Sequence, residues 1–295
     1  MGSPLSFLRR IAAAIRRRSQ ARILSHWGPG RHWHQASPGF WMQLDRDAFD
    51  DRAFFFGSFD DAFVRDVGRL VRPGERAVDV GAQKGFFTLL LARAVGQKGA
   101  VLSIEADPAA IELLQAHCER NNITVARIAD CAVSEREGDE ITFQLSDQIG
   151  WSSRFPSPMQ AAHVRRSLTL RTRTVDALVE ERLSDIATPI ALIKIDVEGS
   201  ELRVLTGMPN LLREHTPVIW MEINRPSIAA AGATPAEIES LLAPFGYRFY
   251  LPDYEPGLFG GPRVWYTEYE HLDEVERPEF DIVCVPPRYG ERWGN

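Results

Sequence analysis

From Arg76 to the end of the chain, short apolar segments alternate with segments whose apolar residues recur at helical spacing. Parallel strands need long connections that are usually helical, so this alternation predicts a parallel sheet with helices on both faces. The segments predicted as strands are residues 77–80, 101–104, 125–129, 141–145, 190–195, 218–223, 247–251 and 281–285. The segments predicted as helices are residues 58–70, 86–95, 108–121, 175–181, 202–212 and 235–244. We therefore expect an α/β domain over residues 76–295, with an insertion at residues 252–280.

Residues 1–44 form a basic arm with seven arginines and no acidic residue, although the whole chain has a net charge of −6. The body that follows is therefore acidic, which argues against nucleic-acid binding. Within the arm, the apolar spacing predicts a basic amphipathic helix over residues 5–18. Such a helix could contact an anionic membrane surface, pack on the body or on a partner subunit, or stay disordered. The oligomeric state stays open.

Between the arm and the sheet, residues 45–75 are predicted as a helical lead-in. Residues 26–57 are rich in aromatic residues, histidine and glycine and show no clear period, so we expect a loop there. Three histidines lie in this region, but no cysteine or carboxylate joins them at ligand spacing. We interpret them as surface residues and assign no metal; they are His26, His32 and His34.

The three cysteines are widely spaced and odd in number, which fits neither a disulfide framework nor a zinc cluster. This pattern is typical of a reducing compartment. No apolar run is long enough for a transmembrane helix. We expect a cytoplasmic protein of bacterial source, either free or peripheral at the inner membrane.

The first strand runs into a glycine turn, Asp79-Val80-Gly81-Ala82-Gln83-Lys84-Gly85, and a helix follows directly. Glycine is needed where the backbone turns sharply and passes close to a ligand. An acid before the turn would repel a phosphate but suits an ammonium or a sulfonium. The second strand ends at Glu105, where a carboxylate can accept the hydroxyl groups of a ribose. These strand ends predict a site for a cationic nucleoside.

The third strand ends at Asp130, where the edge of an adenine base would lie. Its carboxylate could accept a hydrogen bond from the adenine amino group. An acid in an ordinary turn is an equally good interpretation.

The segment Lys194-Ile195-Asp196-Val197-Glu198-Gly199-Ser200-Glu201 is the most distinctive part of the chain. A buried ammonium is costly unless it is paired, so we expect Lys194 beside a carboxylate. Asp196 and Glu198 fall at the same edge of the sheet as Asp79 and Glu105. They could orient the ammonium of the cationic nucleoside, accept a proton from a substrate hydroxyl or bind a divalent cation.

Together these motifs resemble the FkbM family of methyltransferases. The residues 79–88 resemble the family's first motif, with Gln83 in place of the usual Asn, and residues 194–202 match its Lys-x-Asp-x-Glu-Gly-x-Glu pattern. The resemblance covers roughly residues 75–250 and the final strand. It implies a class I, Rossmann-like methyltransferase fold with a seven-stranded, mostly parallel sheet whose last strand is antiparallel.

The resemblance also implies S-adenosylmethionine as the methyl donor and a hydroxyl on a sugar, glycan or other natural product as the acceptor. Carried across, the residues that hold the donor would be Asp79, Gly81, Gly85 and Glu105, with Asp130 a weaker candidate. Asp196 and Glu198 would lie between donor and acceptor, and either could be the base; His163 and His215 are rivals for that role. The acceptor pocket is expected from residues 150–153 and the aromatic residues of 254–269.

Two other functions compete with this prediction. A nicotinamide-dependent oxidoreductase would need a three-glycine pyrophosphate turn without a neighbouring acid, and this chain has neither feature. A non-catalytic, membrane-associated adaptor could keep a relic of the donor site.

Overall fold

A computed structural model of the protein describes residues 18–255 and 263–293. The amphipathic helix predicted over residues 5–18 lies outside this part, except for its last residue. The chain divides into two compact units. The first comprises residues 1–62 and 253–265, and the second comprises residues 63–252 and 266–295.

The first unit contains an antiparallel hairpin of β1 (Arg31–Ala36) and β2 (Phe40–Asp45), followed by helix α1 (Phe49–Phe56). The indole of Trp27 stacks on the imidazole of His34 with ring centroids 3.7 Å apart. The prediction of a loop over residues 26–57 is therefore wrong. Its aromatic residues and histidines pack a small folded element, and β2 alternates buried and more exposed side chains as a strand should.

The strands that follow are β3 (Arg76–Val80), β4 (Ala100–Glu105), β5 (Ala126–Asp130), β6 (Ala132–Val133), β7 (Glu140–Ser146), β8 (Val164–Arg173), β9 (Ile190–Ile195), β10 (Val218–Asn224), β11 (Arg248–Glu255), β12 (Arg263–Tyr269) and β13 (Glu279–Val285). The helices are α2 (Asp61–Leu70), α3 (Phe86–Val95), α4 (Pro108–Arg120), α5 (Pro158–Ala161), α6 (Val175–Leu183), α7 (Glu201–Thr206), α8 (Pro209–His215), α9 (Arg225–Ala230), α10 (Pro235–Leu242) and α11 (Gly290–Trp293).

The main sheet has the strand order β12-β11-β13-β10-β9-β3-β4-β5. Strands β10, β9, β3, β4 and β5 are parallel, and β13 is antiparallel to both of its neighbours. The predicted doubly covered α/β sheet with an antiparallel last strand is confirmed. The strand number is eight instead of the expected seven, because β12, from the predicted insertion, extends the edge beyond β11.

The apolar runs of the sequence become the buried central strands. All six residues of β9 are buried, as are the five of β3 and the six of β4. Strands covered on both faces need apolar side chains on both sides, which explains continuous runs without alternation. β7 and β8 instead pair with β6 in a separate small sheet with the order β6-β8-β7, and β8 was not predicted.

The helix predicted over residues 202–212 is interrupted and forms α7 and α8. A Cβ on Gly207 would lie 2.3 Å from the carbonyl oxygen of Ser134, so the chain passes too close there for another residue. Pro209 then starts the next helix, where its missing N–H costs nothing. In the part of the chain that the structure describes, no helix combines the length and apolarity needed to cross a membrane.

Candidate active site

A cavity of about 640 Å³, counting space open to solvent, lies within the second unit at the carboxyl ends of β3, β4 and β9. Open α/β sheets bind their ligands at this edge. The cavity combines an apolar wall with convergent polar groups, as ligand sites do. Its lining residues are Gly81, Gln83, Ile104, Glu105, Ala106, Asp107, Ala110, Cys131, Ala132, Val133, Ile141, Phe143, Gly150, Ser152, Arg154, Asp196, Val197, Glu198 and Ser200.

The glycine turn after β3 brings two strand ends together. Gly81 has φ +79°, and its N–H donates to the carbonyl of Ile104 at 3.0 Å. A Cβ at Gly81 would lie 1.8 Å from the carbonyl oxygen of Asp196. Gly85 has φ +92°, and a Cβ there would lie 2.4 Å from Leu114 Cδ1. Glycine is therefore required at both predicted positions, by conformation and by space.

Asp79 is fully buried beneath the turn and is not among the cavity-lining residues. Its Oδ2 accepts a hydrogen bond from the Thr88 hydroxyl at 2.6 Å, while Oδ1 has no hydrogen-bond partner among the described residues. Burial raises the pKa of Asp79 to about 6, against the opposing effects of Thr88 and the Lys194 charge. An unpartnered, buried carboxylate oxygen is chemically compatible with a cation nearby, and the assignment of Asp79 to the donor stays a prediction.

Glu105 lines the cavity and is held by backbone N–H groups. Oε2 accepts from Gln83 at 2.8 Å, and Oε1 accepts from Ala106 and Asp107 at 2.8 Å each. Burial raises its pKa to about 7 even though these three bonds favour the ionised form. A carboxylate has about four acceptor positions, so one remains on Oε2 for a ligand hydroxyl. The position and chemistry of Glu105 fit a ribose.

At the end of β5, the residues that line the cavity are not the one that the sequence predicted, Asp130. The Asp130 side chain is exposed and is not part of the cavity lining, whereas the next two residues, Cys131 and Ala132, line it. The assignment of Asp130 to the donor stays a prediction. The wall near an adenine base would be mostly apolar, with Ile141 and Phe143 of β7 also contributing.

Lys194 is buried beside the end of β9, with 2% of its side chain exposed. Its Nζ lies 3.6 Å from Asp196 Oδ2 and 3.7 Å from Asp281 Oδ1, and 4.7 Å from the centroid of the Phe87 ring. The predicted carboxylate partner is therefore present, and a second one on β13 accompanies it. Asp281 is a residue that the sequence did not single out.

Asp196 and Glu198 both line the cavity, and Glu222 at the end of β10 joins them. One oxygen from each lies within 4.8 Å of the others. Burial, reinforced by the Asp196 charge, raises the pKa of Glu198 to about 8 and raises that of Glu222 well above its ordinary value. Such a spacing could admit a divalent cation, but acid clusters commonly hold none, and we assign no metal.

Glu201 is buried in the first turn of α7, and its Oε1 accepts from the Gly199 N–H at 3.0 Å. Burial raises its pKa to about 7, and the other carboxylate oxygen has no partner among the described residues. It lies outside the cavity lining, so it supports the turn after β9.

Of the candidates for the acceptor pocket, Gly150 and Ser152 line the cavity. The two histidines considered as bases, His163 and His215, do not; His163 lies 3.0 Å from Asp147 Oδ1. The aromatic insertion is divided between the two units, and part of it lies outside the described residues. Gln83 lies within the predicted glycine turn but was not assigned to the site, and Cys131 and Arg154 were not assigned to it because neither belongs to a motif that the sequence analysis used.

A sheet of this order with an antiparallel last strand, a glycine turn after an acid and a buried carboxylate at the end of the next strand are the features of a class I S-adenosylmethionine-dependent methyltransferase. The sequence model of the family described as "Methyltransferase FkbM domain" matches residues 79–249. The chain therefore belongs to the FkbM methyltransferase family, and the resemblance seen in the sequence is confirmed.

Two curated relatives show how far the similarity extends. The 31-O-demethyl-FK506 methyltransferase FkbM of Streptomyces tacrolimicus is 28% identical over 187 residues, which cover 56% of this chain and 67% of that protein. The hexuronic acid methyltransferase AglP of Haloferax volcanii is 35% identical over 108 residues, covering 35% of this chain and 41% of that protein. Among solved structures, a methyltransferase FkbM from Methylobacillus flagellatus has a TM-score of 0.38 at 17% identity, over 74% of this chain and 54% of that one.

Proposed function

We propose that this methyltransferase is an O-methyltransferase that acts on a hydroxyl of a sugar, glycan or other natural product. The single observation that carries the proposal is that Asp196 and Glu198 line the same cavity as Gly81 and Glu105. Carboxylates are thereby available beside the donor site, where a hydroxyl would have to lose its proton.

The named relatives support this acceptor class. One is a methyltransferase of a demethylated FK506 oxygen and the other of a hexuronic acid, so both names describe polar, oxygen-rich acceptors. The matched regions cover only part of each protein, and the acceptor of this chain is therefore proposed as a class and not as a compound.

S-adenosylmethionine supplies an electrophilic methyl group on a sulfonium, and its thioether leaves without needing a proton. On the protein side, Glu105 would accept a ribose hydroxyl at its remaining acceptor position, while Gly81 lets the ends of β3 and β9 lie close together. Asp79 adds a buried negative charge beneath the turn. These residues would hold the donor in one orientation, and such orientation contributes a large part of the rate enhancement of an in-line displacement.

The acceptor oxygen forms the new bond to the methyl carbon with its own electron pair, and its proton goes to a carboxylate. Glu198, with a pKa of about 8, is mostly protonated at neutral pH. We therefore assign proton acceptance to Asp196 and hydrogen-bond donation toward the acceptor to Glu198. The Lys194 ammonium, with Nζ 3.6 Å from Asp196 Oδ2, places a positive charge beside this carboxyl group.

Calorimetry and a donor-labelled assay test the proposal in sequence. S-adenosylhomocysteine should bind the wild-type protein and NAD should not. Labelled donor should then transfer its methyl group to lysate small molecules or glycans, with Asp196→Asn as the inactive control. Transfer that yields only alkali-labile esters or N-methyl products would refute O-methylation of a hydroxyl. Donor binding without transfer to any acceptor would favour the adaptor.

The basic arm carries a separate proposal about location. Its arginines and apolar spacing support contact between residues 1–22 and an anionic membrane surface, while the enzyme remains cytoplasmic. Flotation with vesicles containing phosphatidylglycerol should carry the full-length protein but not a version lacking residues 1–22. Equal flotation of both proteins would contradict the proposal.

A further inference from the structure

Residues 150–154, here called the cover segment, connect the two halves of the donor site. Gly150, Ser152 and Arg154 line the cavity. The Ser152 hydroxyl donates to Asp107 Oδ2 at 2.7 Å, and the Ser153 hydroxyl donates to the carbonyl of Glu198 at 2.8 Å. Since Asp107 follows β4 and Glu198 follows β9, these two hydrogen bonds span the cavity.

The cover segment belongs to the connection between β7 and β8, residues 147–163, and hydrogen bonds hold this connection at its two ends. The Asp147 N–H donates to the His163 carbonyl at 3.1 Å, and the two side chains also meet at 3.0 Å. Ser153 forms a short antiparallel bridge with Gln144, with hydrogen bonds of 2.8 and 3.0 Å. The cover segment is therefore attached to the rigid small sheet on one side.

The Ser152 hydroxyl makes one hydrogen bond across the cavity, to Asp107, and also accepts from the Ser146 N–H at 3.0 Å at the end of β7. Asp107 uses its other oxygen, Oδ1, to cap helix α4 by accepting from the Ala109 N–H at 2.9 Å. The carboxylate thus stays in place whether or not Ser152 is bound to it. Gly150, at φ +98°, lies against the Gln83 side chain, where a Cβ would be 2.8 Å from Oε1. This contact places the segment directly over the glycine turn.

The cover segment also holds the acceptor side of the cavity. Glu198 is a non-glycine residue in the left-handed region, at φ +51°, which is uncommon and needs support from its surroundings. Ser153 binds its carbonyl oxygen, and the Gln160 side chain hydrogen-bonds its carboxylate. The conformation of a proposed catalytic carboxylate therefore depends on the element that covers the donor.

We propose that Ser152 and Ser153 are positioning residues that fasten the cover segment across the donor cavity. The cover opens at the Ser152–Asp107 hydrogen bond when donor enters and product leaves, and its closure sets Glu198 for the acceptor. The donor is thereby bound first and the acceptor second. This inference rests on the proposed function because it takes S-adenosylmethionine as the ligand of the cavity.

The experiment measures S-adenosylhomocysteine on the full-length protein. In the wild type, binding should slow amide hydrogen exchange in residues 150–154. In Ser152→Ala, labelled S-adenosylhomocysteine should be released about tenfold faster when it is chased with excess unlabelled compound. The variant loses both the hydrogen bond to the Asp107 carboxylate and the acceptor for the Ser146 N–H. Ser152→Thr keeps the hydroxyl and should stay within about threefold of the wild type, as the conservative replacement at the same position.

The matched control is Ser240→Ala, which removes an exposed serine hydroxyl that donates to the Ala236 carbonyl at 2.8 Å, and it should release ligand at the wild-type rate. Two results would each overturn the proposal that residues 150–154 cover the donor. One is amide hydrogen exchange in these residues that does not change when S-adenosylhomocysteine binds. The other is release of S-adenosylhomocysteine from Ser152→Ala at the wild-type rate. The hydrogen-exchange measurement uses the wild-type protein, so it still tests the proposal if Ser152→Ala fails to fold. Failure of the wild type to bind S-adenosylhomocysteine would instead refute the proposed function.

Discussion

The two sides of the cavity satisfy their acidic groups in different ways. On the donor side, Glu105 accepts three backbone N–H bonds, and Asp79 is fixed by the Thr88 hydroxyl. On the acceptor side, the carboxylates face one another across the ends of β9, β10 and β13, with a buried ammonium between two of them. These side chains are Lys194, Asp196, Glu198, Glu222 and Asp281.

The difference lies in the partners of the carboxylates, which are mainly backbone N–H groups for Glu105 and other charged side chains on the acceptor side. The backbone N–H groups that hold Glu105 do not titrate, but burial raises the pKa of Glu105 to about 7 and that of Asp79 to about 6, so both sides of the cavity contain groups that titrate near neutral pH. The acceptor side balances like charges, and burial raises the pKa values of Glu198, Glu222 and Asp281. On the proposed mechanism, hydrogen bonds from the backbone hold the donor-side carboxylate Glu105 in place, whereas burial and like charges raise the pKa values on the acceptor side.

The largest expected effect comes from the acceptor side. Asp196→Asn should lower kcat by about 10²–10⁴-fold, because it removes the proposed proton acceptor without changing side-chain size. The dissociation constant of S-adenosylhomocysteine, measured by calorimetry, should stay within about threefold of the wild type on this mechanism. A large loss of affinity at constant kcat would place Asp196 with the donor ammonium instead.

The pH profile separates the two carboxylates. If Glu198 accepted the proton, the rate would rise tenfold per pH unit until its pKa of about 8 and then level off. We expect Glu198→Gln to keep the wild-type profile between pH 6 and 8 and to lose less activity than Asp196→Asn. If the wild-type rate rises toward pH 8 and the rate of Glu198→Gln does not, Glu198 is the base.

On the donor side, Gly81→Ala should weaken S-adenosylhomocysteine binding by about 100-fold or more, because the strand ends must separate by ångströms. A matched control is available in Gly232, which has φ +74° but nothing within 4 Å of a Cβ. Gly232→Ala imposes the same kind of backbone strain without a collision of the new Cβ, and it should bind S-adenosylhomocysteine with the wild-type affinity. Equal losses in both variants would mean that conformation, and not the approach to Asp196, matters at Gly81.

Glu105→Gln should weaken S-adenosylhomocysteine binding by about 10–30-fold, as expected for charged hydrogen bonds. The new amide group would point N–H donors at backbone N–H groups that now bind a carboxylate. The exposed Glu112→Gln on α4 is the control for loss of charge alone. Wild-type affinity in Glu105→Gln would remove this residue from the donor site.

The smallest effect concerns stability at Glu201. Its pKa is raised from 4.5 to about 7 in the folded state, so the folded protein binds this proton more tightly than the unfolded chain. The free energy of unfolding should therefore fall as pH rises from 4.5 to 7. Glu201→Gln should reduce the fall in Tm over this range by on the order of 5 °C, with exposed Glu119→Gln unchanged. An unaltered slope would show that Glu201 is not the group that titrates.

Much of the donor side could be predicted because its signals are local. The strand, the glycine turn and the following helix α3 are consecutive in the sequence, and Glu105 ends the next predicted strand. Helix α3 and strand β9 were predicted with the observed limits, since their apolar patterns are uninterrupted. The hairpin β1–β2 was missed because aromatic residues and histidines obscured its short alternation.

The sequence by itself determined the parallel sheet, the glycine turn and the acids at the ends of β3, β4 and β9, because periodicity and turn chemistry act between near neighbours. Only the tertiary structure decided that Asp281 shares the ammonium of Lys194 and that Ser152 reaches Asp107. Those partners are brought together by strand order and by loops with no period of their own. Hydrogen bonds and charge pairs act over a few ångströms of space, whatever the separation along the chain.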